Sequence, residues 1–155
     1  RSAAANGATA AALTTGNRTT AAVRRDWPEI PEEAVVPVAD FIESALKAAA
    51  EAGLQRVIVG CMPGKLFKYA CGFENTHAHR NKLMLTYLRD LGVDLPGVPL
   101  ETIGTMGELR ARIGDAQFRE VLGPVYDRAR EVLQKWLSPV MLELALYDED
   151  GGRIR

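Results

Sequence analysis

Lysines, histidines and glycines gather in one stretch, residues 57–79, which reads VIVGCMPGKLFKYACGFENTHAH. An apolar run leads into a turn bracketed by glycines, and Lys65 and Lys68 follow three residues apart. Three kinds of site could use these residues: a phosphate cradle, a metal site, or a pocket for another anion. Glycines let backbone N–H groups approach an anion, and the positive end of a following helix favours negative charge.

The turn differs from the P-loop of nucleotide-binding proteins, G-x-x-x-x-G-K-[ST]. Three residues separate Gly60 from Gly64, and Leu66 stands where the metal-binding hydroxyl would be, so a Walker-type ATPase is not expected. The difference from the P-loop does not exclude the binding of an anion at this turn. Lys65 and Lys68 would share a face on the first turns of a helix, where an anion would offset their conflict with the helix dipole. A tight turn that binds no ligand is the alternative.

The histidines and cysteines do not form a recognisable metal site. His77 and His79 alternate along the chain. The nearby candidates for a third ligand, Cys61, Cys71 and Glu74, lack a zinc-ligand spacing, so no metal is predicted. Imidazoles that serve an anionic or acid–base site are favoured instead. Two cysteines make no disulfide framework, and we expect free thiols.

Strands and helices alternate around this stretch. Apolar and β-branched runs predict strands at residues 10–14, 34–36, 57–59 and 140–147. Helical periodicity predicts helices at residues 19–26, 38–49, 65–70 and 81–91. Thr105 and Glu108 have the spacing of a capping box, Asp115 is predicted as an N-cap, and Pro124 is predicted in the first turn of a longer helix.

This order predicts an α/β fold, a mostly parallel sheet flanked by helices in a Rossmann-like three-layer arrangement. Residues 1–10 are expected to be a loose lead-in, and residues 11–155 a single α/β domain. Ligands bind such sheets at the carboxyl ends of the strands. Two turns should lie at that edge: Thr15-Gly16-Asn17 after the first strand, and residues 60–65 after the third.

Composition and charge exclude several functional classes. The 155 residues are 47% hydrophobic and 25% charged, as in an ordinary soluble domain. With 19 Lys+Arg against 20 Asp+Glu, the net charge of -1 indicates no nucleic-acid partner. No apolar run approaches the roughly 20 residues that a membrane span needs. We therefore expect a cytoplasmic protein that binds neither nucleic acid nor membrane.

The string GCMPGKLFKYACGFENTH resembles the signature of the CbiD family, the cobalt-precorrin-5B C1-methyltransferases of anaerobic cobalamin biosynthesis. The segments TTGNRT (residues 14–19) and IPEEAVVPVADFIESALKAAAEAG (residues 30–53) resemble further family segments, so the resemblance covers roughly residues 11–153. The matching positions of the string are Gly60, Gly64, Lys65, Leu66, Lys68, Ala70, Gly72, Thr76 and His77. Family members are more than twice this long, so the chain resembles their C-terminal domain, and an N-terminal half or another domain is a candidate partner.

The resemblance implies methyl transfer from S-adenosylmethionine to C1 of cobalt-precorrin-5B, a carboxylate-rich tetrapyrrole on the path to the corrin ring. His77 is the candidate catalytic residue, as the acceptor of a proton. The candidates for binding substrate or cofactor are Thr15, Gly16, Asn17, Gly60, Pro63, Gly64, Lys65, Lys68, Thr76 and Arg80. Which turn would hold which ligand is left open. The alternative is a non-catalytic α/β module that binds a tetrapyrrole or another polyanion.

Overall fold

A computed structural model describes residues 7–74, 76 and 84–155 of the chain. Within these residues the strands are β1 (Ala10–Thr14), β2 (Val35–Pro37), β3 (Arg56–Cys61) and β4 (Met141–Leu146). The α-helices are α1 (Asn17–Asp26), α2 (Ile42–Glu51), α3 (Pro63–Ala70), α4 (Met106–Ile113) and α5 (Asp115–Leu137). Short 3₁₀ helices cover Glu32–Ala34 and Leu85–Leu88.

The four strands form one parallel sheet in the order β2–β1–β3–β4. Strand β3 is central, with its Gly60 opposite Thr14 of β1 and its Cys61 opposite Leu146 of β4. The β-branched run of β3, residues 57–59, is completely buried, as is typical of a parallel sheet covered on both faces. The predicted α/β class and the mostly parallel sheet are confirmed.

Helices cover both faces of the sheet and complete the predicted three layers. Helix α1 packs on β1, β2 and β3, whereas α5 packs against both α2 and α3 on the opposite face. Helix α5 supplies the longest apolar stripe, whose members recur at helical spacing and are all buried. These residues are Phe118, Val121, Leu122, Val125, Ala129, Leu133 and Leu137.

The start of α2 differs from the predicted start at residue 38. Val38 donates its backbone N–H to the carbonyl of Thr14 at 2.8 Å, which keeps it tied to strand β1. Ala39 then adopts a φ of 49°, a left-handed conformation that cannot continue an α-helix. The helix therefore begins only at Ile42, and its buried residues include Leu46 and Ala49 of the predicted apolar face.

The helices near the C-terminus also differ from prediction in their details. Pro124 lies inside the 23-residue helix α5 rather than in its first turn, because buried apolar residues on both sides hold the helix together across the missing N–H. Asp115 is the first helical residue, and Gly114 is the N-cap. Thr105 caps α4 as predicted, accepting the N–H of Glu108 at 3.1 Å. Of the helix predicted at residues 81–91, the described part forms the 3₁₀ turn Leu85–Leu88.

The close packing of α1 on strand β3 at Gly60 can be tested by substitution. A Cβ atom there would lie 2.5 Å from Cγ2 of Val23, so Gly60→Ala forces α1 and β3 apart. We expect a loss of about 1–3 kcal/mol in the free energy of unfolding, measured by urea denaturation. Gly64→Ala is the matched control, because a Cβ there meets no atom within 4 Å. Adding Val23→Ala should restore part of the loss, and equal stability of the two alanine variants would contradict this packing.

Candidate functional site

The candidate site lies at the edge of the sheet where the four parallel strands end. Strands β1 and β3 are neighbours with Thr14 opposite Gly60, so the two turns predicted to bind ligand lie side by side. The loop after β2 and the turn after β4 lie at the same edge, because parallel strands share one direction. The sequence prediction that both turns share the carboxyl edge is confirmed.

The first turn, Thr15-Gly16-Asn17, leads from β1 into α1. The hydroxyl of Thr19 accepts the backbone N–H groups of Thr15 at 3.1 Å and Gly16 at 3.0 Å, which folds the turn tightly. Gly16 is the N-cap and has no side chain to satisfy the first N–H groups of the helix, which begin at the exposed Asn17. These donors are therefore available to an anion.

The second turn leads from β3 into α3 and is shorter than the sequence suggests. Gly60 lies inside β3 and is buried, so it serves the packing against α1 and does not bracket the turn. Met62 is the N-cap without a side-chain hydrogen bond, and Pro63 is the first helical residue. Gly64 is exposed on the first turn of α3, with open space where a Cβ would stand. Of the glycines predicted here, only Gly64 could approach a ligand.

Both lysines predicted to bind ligand donate hydrogen bonds to Thr76. The Lys65 ammonium donates to the carboxylate of Asp40 and, at 2.9 Å, to the hydroxyl of Thr76, which itself donates to Asp40 at 2.8 Å. The Lys68 ammonium donates to the carbonyl of Thr76 at 2.7 Å. Two ammonium groups thus face one carboxylate, and these four residues, which we call the Thr76 cluster, carry a net positive charge.

The residues that carry the net positive charge of the Thr76 cluster are largely shielded from solvent. The Thr76 side chain is completely buried, and those of Lys65 and Asp40 are about one quarter exposed, at 26% and 22%. Burial and the neighbouring Lys65 charge lower the pKa of Lys68, while Asp40 opposes that shift. The excess positive charge is therefore poorly screened, which favours an anion nearby.

Asp40 belongs to this site although sequence reasoning did not single it out. It follows Ala39, whose positive φ re-aims the chain directly after β2 and costs roughly 1 kcal/mol. Strain of this kind persists only where surrounding contacts hold it, and here Asp40 supplies contacts to Lys65 and Thr76. The only available signal was its position in the segment that resembles the family.

Three residues singled out from the sequence, His77, His79 and Arg80, lie outside the described residues. The roles of His77 as proton acceptor and of Arg80 in anion binding therefore remain sequence predictions. Thr76, the residue before His77, is placed firmly by the two lysines.

A cavity of about 660 Å³, open solvent at its mouth included, adjoins the second turn and was not predicted. It lies between α3, α4, α5 and the turn after β4. Its lining is Met62, Pro63, Gly64, Met106, Gly107, Arg110, Asp115, Phe118, Arg119, Leu122, Asp148, Glu149 and Ile154. These residues come from four separated segments, so no short motif could have indicated the cavity.

The cysteines have the character of structural thiols. Cys61 is completely buried, and burial raises the pKa of its thiol well above the usual range. Burial also raises the pKa of the partly exposed Cys71 to about 12. Both are free, as expected. In the described part of the chain, no group of three His, Cys, Asp or Glu residues could hold a metal ion, and no helix is long and apolar enough to cross a membrane.

Comparison with known proteins finds relatives of a single kind among the best matches. The chain is 34% identical over 149 residues to a cobalt-precorrin-5B C(1)-methyltransferase of Polaromonas sp., 37% over 151 residues to that of Nitratidesulfovibrio vulgaris, and 41% over 149 residues to that of Variovorax paradoxus. These matches cover 92%, 93% and 92% of this chain, but only 40%, 39% and 41% of the relatives. The chain thus spans about two fifths of their length. No family model and no solved structure matches it.

The Thr76 hydroxyl should contribute measurably to stability. Thr76→Val removes a buried group that joins Lys65 to Asp40, so we expect a loss of about 1–3 kcal/mol in the free energy of unfolding. Thr102→Val is the matched control, because its hydroxyl bonds the Pro99 carbonyl on an exposed turn and should matter by under about 0.5 kcal/mol. Urea denaturation compares the two, and equal losses would show that the cluster does not hold Thr76.

The thiols should react slowly in the folded protein. At pH 8 the raised pKa values leave little thiolate, and Cys61 is also inaccessible, so a thiol-specific reagent should modify Cys61 only on unfolding and Cys71 slowly. Protein unfolded in urea provides the control, in which both should react fast. Rapid modification of Cys61 in folded protein, located by peptide mass spectrometry, would contradict a purely structural role.

Proposed function

We propose, on the premise that the chain belongs to the family of cobalt-precorrin-5B C(1)-methyltransferases, that it forms one domain of such an enzyme and takes part in S-adenosylmethionine-dependent methylation of cobalt-precorrin-5B at C1. The observation that supports this most is identity of 34% or more over at least 92% of the chain to three such enzymes. The site supports it too, because the resembling string provides α3, both lysines and Thr76.

The carboxylate-rich substrate fits the positive features at the carboxyl edge. The open N-termini of α1 and α3 offer backbone N–H donors, and the Thr76 cluster adds a net positive charge between α2 and α3. Substrate carboxylates would bind there through Asn17 and Lys68, with Arg80 as a further predicted contact. Charge-assisted hydrogen bonds of this type position a substrate more strongly than neutral ones.

The chain also has features that suit the binding of the methyl donor. S-adenosylmethionine, when bound, supplies a methyl group on a positively charged sulfur. The chain's task is then to hold donor and carbon acceptor in line and to exclude water, which is mainly a matter of positioning. The cavity beside α3 has a buried apolar floor that suits this. We propose that His77 accepts the proton released in an accompanying step.

A non-catalytic role is the second candidate, favoured by one specific observation. The chain spans about two fifths of the length of its relatives, so groups needed for chemistry could lie in the remainder. The same edge of the sheet would then bind a tetrapyrrole or another polyanion without transforming it.

A reconstitution experiment separates the two candidates. The purified chain is mixed with cobalt-precorrin-5B and methyl-labelled S-adenosylmethionine, with and without the part of the Nitratidesulfovibrio vulgaris relative that lies outside the match. We expect label in the tetrapyrrole when both parts are present. Transfer by the chain alone would eliminate the binding-module candidate. Tight tetrapyrrole binding without transfer in either mixture would overturn the enzymatic proposal and support that candidate.

A charge variant tests the binding edge separately. Lys68→Met should weaken binding of a polycarboxylated cobalt tetrapyrrole roughly tenfold, because it removes the lysine that does not pair with Asp40. Lys135→Met is the matched control, since Lys135 is exposed in the last turn of α5, at the opposite edge of the sheet where β4 begins. Absorption titration gives the affinities, and equal values for both variants would place the tetrapyrrole elsewhere.

A further inference from the structure

The cavity beside α3 combines an apolar floor with charged groups at its rim. Met106, Phe118 and Leu122 form the floor, and each is at most 5% exposed. The cavity, about 660 Å³ with the open solvent at its mouth included, thus combines an apolar surface with a few charged groups, as sites for small organic ligands commonly do. A flat or ring-shaped apolar body could therefore be covered here.

The rim holds charges of both signs, and several of them already have partners. Arg110 pairs with Asp115 at 2.7 Å. The Asp148 carboxylate accepts the backbone N–H groups of Asp150 at 3.0 Å and Gly152 at 2.7 Å, which closes the turn after β4. These three contacts are internal to the fold and occupy the side chains of Arg110, Asp115 and Asp148 within the protein.

Two rim side chains of opposite charge remain for a ligand. Within the described residues, neither the Arg119 guanidinium nor the Glu149 carboxylate forms a hydrogen bond or an ion pair. The backbone N–H groups of Gly64 and Lys65, on the first turn of α3, likewise have no side-chain cap. The cavity thus offers one cation, one anion and further donors around an apolar floor.

This arrangement discriminates between the two ligands of the proposed reaction. A tetrapyrrole with several carboxylates would meet Asp115, Asp148 and Glu149 at the rim, and like charges at a binding surface oppose association. A ligand with one ammonium, one carboxylate and an apolar body would instead find a partner for each part. Its carboxylate would pair with Arg119 and its ammonium with Glu149.

We propose that this cavity is the methyl-donor site: it binds the α-amino carboxylate end of S-adenosylmethionine between Arg119 and Glu149 and covers the adenosyl part on the floor formed by Met106, Phe118 and Leu122. The inference rests on the proposed function for the identity of the ligand. It assigns the second turn, through Gly64, to the donor, and it leaves the first turn and the Thr76 cluster to the tetrapyrrole.

Calorimetric titration of the chain with S-adenosylhomocysteine, the demethylated donor, tests the location. We expect one site per chain, and Gly64→Leu should abolish binding because the new side chain occupies open space at the cavity wall. Gln117→Leu is the matched control, because it adds a leucine at an exposed position of α5 that does not line the cavity, and it should bind within about threefold of the unchanged protein. Absence of binding to the unchanged chain, or unaltered binding to Gly64→Leu, would overturn the proposal.

Charge variants test the orientation. Arg119→Gln and Glu149→Gln should each weaken binding of S-adenosylhomocysteine about tenfold, but should not affect 5′-methylthioadenosine, which lacks the amino-acid end. Arg112→Gln is the control, because Arg112 is also exposed but does not line the cavity. Equal losses for both ligands, or no loss for either, would overturn the assigned orientation.

The outcomes separate this inference from the proposed function. Binding that Gly64→Leu abolishes, together with no methyl transfer in the reconstituted mixture, would support the cavity and overturn the reaction. Methyl transfer by the reconstituted Gly64→Leu variant with an unchanged KM for the donor would support the reaction and overturn the cavity.

Discussion

The parallel alignment of β3 between β1 and β4 is the constraint on which the rest of the structure depends. It brings the ends of all four strands to one edge and so places the starts of α1 and α3 side by side. The alignment requires α1 to lie close to the sheet, and Gly60 permits this because any larger residue would collide with Val23. A residue that the sequence suggested as part of a binding turn is thus needed for packing, and that packing sets the position of the candidate turn.

The Thr76 cluster joins segments that are far apart in sequence. Asp40 follows β2, Lys65 and Lys68 belong to α3, and Thr76 comes after that helix. A partly buried ammonium–carboxylate pair is costly unless its remaining hydrogen bonds are made, and the Thr76 hydroxyl bonds both Lys65 and Asp40. The Thr76 carbonyl accepts a further hydrogen bond from Lys68. The lysines therefore hold segments together at this edge of the sheet and also place positive charge there, so the residues proposed to bind ligand also have a structural role.

The two candidate binding regions at this edge have different chemistry. The Thr76 cluster carries excess positive charge, which suits a polyanion, whereas the cavity beside α3 has charges of both signs around an apolar floor. Helix α3 lies between the two regions, with Lys65 and Lys68 facing one and Gly64 lining the other. The two candidate regions therefore share one short helix, as the proposed transfer would require of two ligands held within reach of each other.

Local pattern was sufficient to predict the α/β class, the parallel sheet and the common edge of the two turns. The buried run at residues 57–59 and the alternation of strands with helices depend on neighbouring residues alone, so sequence reveals them. Lys65 and Lys68 were likewise predicted on one helix face from their spacing, and both reach Thr76. Boundaries were less well predicted, because Val38 is held by β1 and Pro124 lies in a helix held together by its packing on either side.

Only the tertiary structure decided what those residues contact. Gly60 changed from a turn residue to a packing residue, and Asp40 entered the site through a contact 25 positions along the chain. The cavity is assembled from four segments, and none of them carries a pattern that indicates it. Sequence by itself determined the elements, their order and the family, because these follow from local periodicity and from resemblance along the chain. The partners of each side chain depend on which distant segments the sheet brings together, and that is a property of the folded chain alone.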